Sequence, residues 1–430
     1  MSLNGFTSSR VVIIGGGLAG MTTALALQRA GHRTTVLERM PEFQNFGGAI
    51  HLPPNACRAL ESLGMLPACQ KEAFEEHHIT LMSYSEGTLL KRMDLVPDMQ
   101  TKYGLPYLSV GRAPLHRALV DAALAAGCVI EYGCTFTSID FSATTVSLAD
   151  GRVLEADLVV GADGESSQCR ALLLGRPDPP FHFGHKVFSC QIALSDLRED
   201  PALADLAGDP GTRWWLGPGT MAIGTIPGGP AQHMNLMGGL PESEDTPVQG
   251  HPVPATKEEV KRVFQSWDSR ISKLVDLSVG CVKWTSTATA VLNDGWGSPS
   301  GRFVLLGDAA HAMTPYLAQG AAQGIEDAIA LGALLSHVTN SSDIPQALRI
   351  FQKVREPRCR RLKEVSMKLR DVYCMHDGPG QQKRDHELLH ADLGPGFVIP
   401  WLDPEFQNWM YSYDIAKEAH RAWLTSEHSQ

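Results

Sequence analysis

Residues 10–39 read RVVIIGGGLAGMTTALALQRAGHRTTVLER, and they leave the start of this chain little freedom. The run VVII is short, apolar and rich in β-branched residues, the composition of a strand buried on both faces. Gly15, Gly17 and Gly20 follow in G-x-G-x-x-G spacing. LAGMTTALALQRAG then carries apolar residues at helical intervals and stops at Gly31. TTVLE is a second strand, ending in Glu38. Strand, glycine turn, helix, strand and acid in that order form the first unit of a doubly wound α/β sheet. Gly15 permits the tight turn, Gly17 lets the backbone approach a pyrophosphate, and Gly20 lets the helix pack close on the strand. The helix N-terminus offers free N–H groups and a positive dipole end to phosphate. Glu38 can accept hydrogen bonds from ribose hydroxyls, and its charge disfavours a 2′-phosphate. The site therefore suits NAD or FAD rather than NADP.

Two later stretches narrow the choice. LEADLVVGADGESSQCRALLLG (154–175) is a strand ending in Gly161-Ala162-Asp163-Gly164, followed by a helix. GRFVLLGDAAHAMTPYLAQGAAQGIEDAIALGALLSHV (301–338) is a strand ending in Gly307-Asp308, then a loop and a long apolar helix. With the N-terminal unit, they resemble the FAD-dependent aromatic hydroxylase family, the single-component flavoprotein monooxygenases, over roughly residues 10–370. GGAIHLPPNACRALESLGM (47–65) is similar to that family's segment after the second strand. SVGRAPLHRALVDAA (109–123) resembles its arginine-containing segment, with Arg112 at the flavin-contacting position. WLDPEFQNWMYSYDIAKEAHRAW (401–423) resembles the tail of the fungal salicylate-hydroxylase-like branch.

The resemblance implies an α/β fold. Residues 1–80, 105–178 and 283–345 are expected to form a discontinuous FAD-binding, Rossmann-like domain of the glutathione-reductase type. Residues 81–104 and 179–282 are expected to form an inserted antiparallel-sheet substrate domain, and 346–430 a C-terminal helical region. The cofactor contacts it implies are Gly15, Gly17, Leu18, Ala19, Gly20, Glu38, Arg39, Ala49, Arg112, Asp163, Asp308, Pro315, Gly320 and Ala321. Asp308 would hold the ribityl chain and help orient the pyrophosphate. The helix from Gly320 would present its N-terminus to the flavin ring, where negative charge accumulates on reduction. Pro315 would lie along the ring, and His311 reads as a structural histidine behind the loop.

FAD is expected to bind tightly and without a covalent link. No second G-x-G-x-x-G follows a strand, so NAD(P)H is expected only as a transient visitor, with molecular oxygen as the third reactant. The implied reaction is hydroxylation or epoxidation of an aromatic, alkaloid-like or polyketide-like small molecule through a flavin hydroperoxide. Flavin carries the hard chemistry, and the protein orients and excludes water. Two enzyme alternatives stay open: a flavin oxidase or dehydrogenase without oxygen insertion, and a decarboxylative salicylate-type hydroxylase. A non-catalytic FAD-binding protein is the reading that the complete flavin apparatus favours least.

Phenol hydroxylases of this group often place an arginine on the first substrate-sheet strand and sometimes a tyrosine on a later one. Here KVFSCQIAL puts Cys190 near the first position, and AIGTIP puts Ile226 near the second. A simple carboxylate thus loses its obvious anchor. The polar side chains expected near the pocket are His51, His185, Lys186, Gln191, His233, Asn235 and Tyr316. Of these, Tyr316, His51 and Gln191 are the candidates for a catalytic role. Trp214, Trp215, Met221, Met234 and Met237 are candidates for an aromatic-binding wall. Ala318 and Ala322 stand where many members have glycine and asparagine. His77-His78 lacks a third ligand at useful spacing, and no metal is expected.

Whole-chain properties set outer limits. Lys plus Arg is 37 and Asp plus Glu is 47, a formal charge of −10. Such a chain has no general attraction for nucleic acid or anionic lipid. No apolar run reaches the ~18–20 residues of a membrane span, and MSLNGFTSSR lacks the layout of a secretory signal. Nine scattered cysteines without a C-x-x-C suggest reduced thiols in a cytoplasmic monomer or homodimer. PESEDTPVQGHPVPAT (241–256) reads as a surface loop, 344–373 as a helix interrupted near Pro357, and 374–387 as an exposed loop.

Overall fold

The computed structural model describes residues 8–43, 48–209, 211–226, 232–241 and 252–427. Five parallel strands form a sheet in the order Phe303–Leu305, Leu158–Gly161, Arg10–Ile14, Arg33–Glu38, Val129–Tyr132. Val11 to Ile14 are all buried, which is why that strand reads as an unbroken apolar run. The first three strands of that order are neighbours and end in the three motif turns. Those turns therefore leave the carboxyl edge of the sheet side by side, where open α/β sheets bind ligands.

The helices Leu18–Arg29 and Gly320–Leu335 pack against each other through small residues. A Cβ added at Gly324 would lie 3.0 Å from Ala19 Cβ, and one at Gly332 2.9 Å from Ala26 Cβ. Glycine at both positions lets the two helices approach, and so brings their N-termini to one place.

A second sheet of eight strands roofs this edge. Its order is Val253–Ala255, Cys281–Ala288, Phe181–Ala193, His233–Pro241, Thr220–Thr225, Gly211–Gly217, His78–Ser83, Leu89–Asp94. The expectation of a wholly antiparallel sheet needs one correction: Gly211–Gly217 runs parallel to His78–Ser83. These strands belong to separate excursions of the chain, so no hairpin dictates their direction. Strand alternation splits the roof into two faces. Trp214 points to the cleft side, whereas Trp215 and Met234 pack in the core on the other face. The Trp215 indole N–H donates to Asp268 there, at 2.9 Å. A small sheet of Ala49–Leu52, Leu108–Gly111 and Ala73–Glu75 closes one side of the cleft.

Three expectations about the outer parts are overturned. Cys190 and Cys281 are not separate thiols: they face each other on adjacent antiparallel strands, 4.5 Å apart at Cα, and form a disulfide. The other seven cysteines are free. The helix expected to break near Pro357 instead runs unbroken over Ile344–Tyr373. Proline removes one helical hydrogen bond, and Arg355 and Arg358 on either side are held in a buried ionic network that keeps the turn in place. The stretch 374–387 is not a loop: Pro379–His390 is a helix with proline in its first turn. Its buried Arg384 donates to the carbonyls of Val372 and Tyr373, capping the helix before it. Most of the loop expected at 241–256 lies outside the described residues. Its described end supplies the edge strand Val253–Ala255. No helix among the described residues is long and apolar enough to cross a membrane.

Candidate active site

The glycine turn is shaped by contacts that exclude side chains. Gly15 has φ +109°, and a Cβ there would lie 2.7 Å from the carbonyl carbon of Ala162. A Cβ on Gly20 would strike the carbonyl of Gly15. Gly15 and Gly20 thus shape the turn and do not line the cleft. Gly17 differs: nothing lies within 4 Å of the position its Cβ would take. Glu38 secures the turn, accepting N–H bonds from Gly16 at 2.8 Å and Met40 at 2.9 Å.

Three helix starts converge on a cleft of about 350 Å³. They contribute Gly17, Leu18 and Ala19; Arg112; and Gly320, Ala321 and Gly324. None of the three helices has a side-chain cap or an acid in its first turn. The first N–H groups of the helices at Leu18 and Gly320 are thus left to an anion in the cleft, whereas the Arg112 N–H donates to the Gly48 carbonyl at 3.0 Å and Pro114 has none to offer. Asp308 projects from its loop into the same cleft, and Ala49 and Pro315 line it. The open space over Gly17 and the uncapped helix starts fit a dinucleotide such as FAD.

Not every expected contact is there. Arg39 is exposed and lines no part of the cleft. Asp163 also lines none of it. Its carboxylate accepts the Ser167 hydroxyl and the Cys169 N–H, and so ties down the next helix. The Asp-Gly motif supplies this anchor, while Ala162 and Gly164 beside it face the cleft.

The Asp308 loop is fixed from behind. Asp327 accepts the Gly307 N–H at 2.8 Å, meets His311 Nε2 at 2.6 Å and accepts Arg355 Nε–H at 2.7 Å. Burial opposes a charge on His311, but Cys359 and Asp327 more than offset it and raise its pKa to about 10. Cys359 completes a trio within metal-binding reach. Arg355 already engages both Asp327 and Cys359, so a cation fills the role an ion would take. Glu326 extends the network, accepting from Arg355, Arg358 and Asn55.

The roof supplies Trp214, Ile223, Thr225, Asn235 and Met237 to the cleft. The Trp214 indole N–H and the Asn235 amide Nδ2 are buried and have no hydrogen-bond partner among the described residues. The Asn235 Oδ1 accepts the Ser189 hydroxyl at 2.9 Å, which points Nδ2 away from that serine. Buried donors are rarely left unmatched in proteins, so these two mark a place for a ligand acceptor.

His51, on the strand Ala49–Leu52, lines the same cleft and has an unforeseen partner. Its Nδ1 lies 2.9 Å from the carboxylate of Glu76, which is 1% exposed. Burial lowers the His51 pKa, but the Glu76 charge and hydrogen bond outweigh it and raise the net value. Glu76 follows the strand Ala73–Glu75, and only the fold carries it behind His51. In the sequence it is one of two adjacent glutamates.

The other catalytic candidates fall elsewhere. Gln191 shares a sheet face with Ser189 but is exposed and lines neither cavity. Tyr316 is buried beside Tyr373, and burial pushes its hydroxyl well above the ordinary range. It lines a second compartment of about 190 Å³ with His185, Glu165 and Met221. That compartment shares Ile223, Met237, Met313 and Pro315 with the main cleft. Lys186 and His233 line neither. The position expected for an anchoring arginine, Cys190, lies in the disulfide on the far face. Ile226 packs on that far face too, leaving Thr225 to the cleft.

Residues 8–366 match the family described as an FAD binding domain. The chain is 34% identical over 419 residues to FAD-dependent monooxygenase OpS4 of Beauveria bassiana (strain ARSEF 2860), with 96% of each chain covered. It is 32% identical over 414 residues to 3-amino-4-hydroxybenzoate 2-monooxygenase PtnB3 of Streptomyces platensis, covering 96% of this chain and 98% of that one. Its fold matches a crystal structure of CtdE in complex with FAD and a substrate. The TM-score is 0.81 at 19% identity, over 98% of this chain and 100% of the other. The chain belongs to this FAD-binding family and is an FAD-dependent monooxygenase.

Proposed function

We propose that this monooxygenase hydroxylates an oxygen-bearing aromatic natural product, with NAD(P)H as the transient electron donor. The observation that carries the substrate reading is the pairing of His51 with Glu76 in a cleft also lined by two unmatched donors. Bound FAD supplies the redox chemistry, taking up hydride and passing one atom of oxygen to the ring. The protein's part is positioning and proton transfer.

In this reading the uncapped helix starts at Leu18 and Gly320 and the Arg112 side chain hold the anionic parts of FAD, and Asp308 meets its polyol chain. The substrate ring lies under Ile223 and Met237. Trp214 Nε1 and Asn235 Nδ2 donate to an oxygen on the ring or its substituent. His51 gives its Nδ1–H to Glu76, which leaves the Nε2 lone pair to accept a phenolic proton. Removing that proton makes the ring electron-rich at the moment it must attack oxygen. The roof closes the site against water, which protects the reactive state.

A salicylate-type acid fits less well. Arg112 is the one lysine or arginine lining either cavity among the described residues, and the remaining residues include no Lys or Arg. A cytoplasmic setting belongs to the same proposal, supported by the seven free thiols and opposed by the Cys190–Cys281 disulfide.

The test is NADH and NADPH oxidation by FAD-loaded protein with phenolic acids, neutral phenols and indoles, counting hydrogen peroxide in parallel. Faster oxidation with little peroxide for the neutral phenols is the expected result. Stoichiometric peroxide with every stimulating ligand would replace this reading with an oxidase.

A further inference from the structure

The second compartment is lined mostly by apolar side chains and opens into the main cleft beside Pro315. Trp284 and Met221 give it walls suited to a flat or aliphatic group. Its one carboxylate is Glu165, from the turn that follows Asp163-Gly164. The Thr287 hydroxyl lines the same space. Among the described residues no lysine or arginine does, and Arg112 in the main cleft is the only one within either lining. Asp308 adds a second carboxylate to the joined cavity. Formal charge across the two linings is thus negative, with the excess at Glu165.

We propose that this compartment is a substrate subsite, and that it receives an extension carrying a basic nitrogen on the Glu165 carboxylate. The proposal rests on the preceding reading, in which the ring occupies the main cleft, and adds what the rest of the molecule must be. A carboxylate held partly out of water among apolar walls, with Arg112 acting on it only from the main cleft, is costly, and a cationic ligand group offsets that cost. Burial pushes the Glu165 carboxyl up and the nearby Asp308 charge adds to it, while the Thr287 hydroxyl and the more weakly acting Arg112 charge oppose the rise. An ammonium at this point would relieve both effects. A carboxylate in the same place would meet repulsion, with Arg112 lining the main cleft and not this compartment. Substrates of this chain are therefore two-part molecules, an oxygenated aromatic ring joined to a basic arm.

The test is binding, so it does not depend on turnover. FAD-loaded protein is titrated with tyramine and with 3-(4-hydroxyphenyl)propionate, which share a ring and a two-carbon spacer and differ in terminal charge. Perturbation of the flavin absorbance reports the Kd of each. Tyramine is expected to bind about tenfold tighter or more. Glu165→Gln should shrink that preference to a small factor with FAD content unchanged, and Glu165→Lys should invert it. Equal binding, tighter binding of the propionate, no perturbation by either compound, or a preference unaltered in Glu165→Gln would each overturn the subsite. Failure of the monooxygenase reading would appear separately, as stoichiometric peroxide in turnover.

Discussion

His51 Nδ1 meets the buried Glu76 carboxylate at 2.9 Å, and His51 is the histidine that lines the main cleft. The Glu76 carboxylate raises the His51 pKa against the opposing effect of burial. A base acts only when neutral, so activity should climb with pH as His51 loses its proton. Glu76→Gln removes the raising influence and leaves burial, which lowers the value. The acid limb of the kcat/KM profile should therefore move to lower pH, and the maximum should fall by roughly 10²-fold, the low end for general-base catalysis. A limb that stays in place would show that His51 is structural.

Arg355 ties the helix Ile344–Tyr373 to three residues of the helix Gly320–Leu335. It donates to Glu326 at 2.6 Å, to Asp327 at 2.7 Å and to the Gln323 side chain at 2.7 Å, with every partner buried. Arg355→Leu leaves two carboxylates without their guanidinium and should cost about 3–5 kcal/mol. Arg355→Lys should also be destabilising, because an ammonium cannot reproduce the planar fork. Chemical denaturation of the flavin-free protein reads both. FAD retention should fall as well, since Asp327 also holds the Gly307 N–H.

Ala318 has φ +53°, a left-handed conformation that glycine adopts more easily, and it lines the cleft. Ala318→Gly removes a penalty of roughly 1–2 kcal/mol and restores some unfolded-state freedom, for a net gain below about 1 kcal/mol. A higher melting midpoint with altered turnover would show that the alanine tunes the turn beside Pro315. A lower midpoint would mean that the Ala318 methyl packs usefully.

These cases mark where the sequence was readable. The glycine turn and the Gly-Asp strand end were legible because they are local: a buried strand, a turn that excludes side chains, and a helix start within a few residues. Ala318 was legible for the same reason. Glu76 and Glu165 were not, because each acts on a partner that only the fold brings near. Cys190 and Cys281 are 91 residues apart and become partners through strand register. Pro357 looked like a helix breaker because Glu326, which holds its neighbours Arg355 and Arg358, lies on another helix. Asp163 sat in the expected motif, yet its carboxylate serves the local backbone. Trp214 and Trp215 are adjacent in sequence and on opposite faces of the roof, a distinction that strand alternation predicts only once the buried face is known.

The glycines offer the sharpest separation of fold from cofactor. Gly17 has φ −71° and ψ −175°, a conformation any residue adopts, and open space where its Cβ would be. Gly17→Val should therefore fold as the parent does when both are compared without FAD. Its branched side chain would stand where the backbone must approach the cofactor, so FAD binding should be lost. Asp308→Ala should behave similarly but more mildly, because it removes a hydrogen-bonding group and adds no bulk. Gly15→Val is the contrasting control: its φ of +109° and the Ala162 backbone leave no room, so it should not fold stably. Circular dichroism reads the fold, and fluorescence of flavin released on heating reads the cofactor. Full FAD occupancy in Gly17→Val would move the cofactor away from the helix start at Leu18 and with it the reading of the whole cleft.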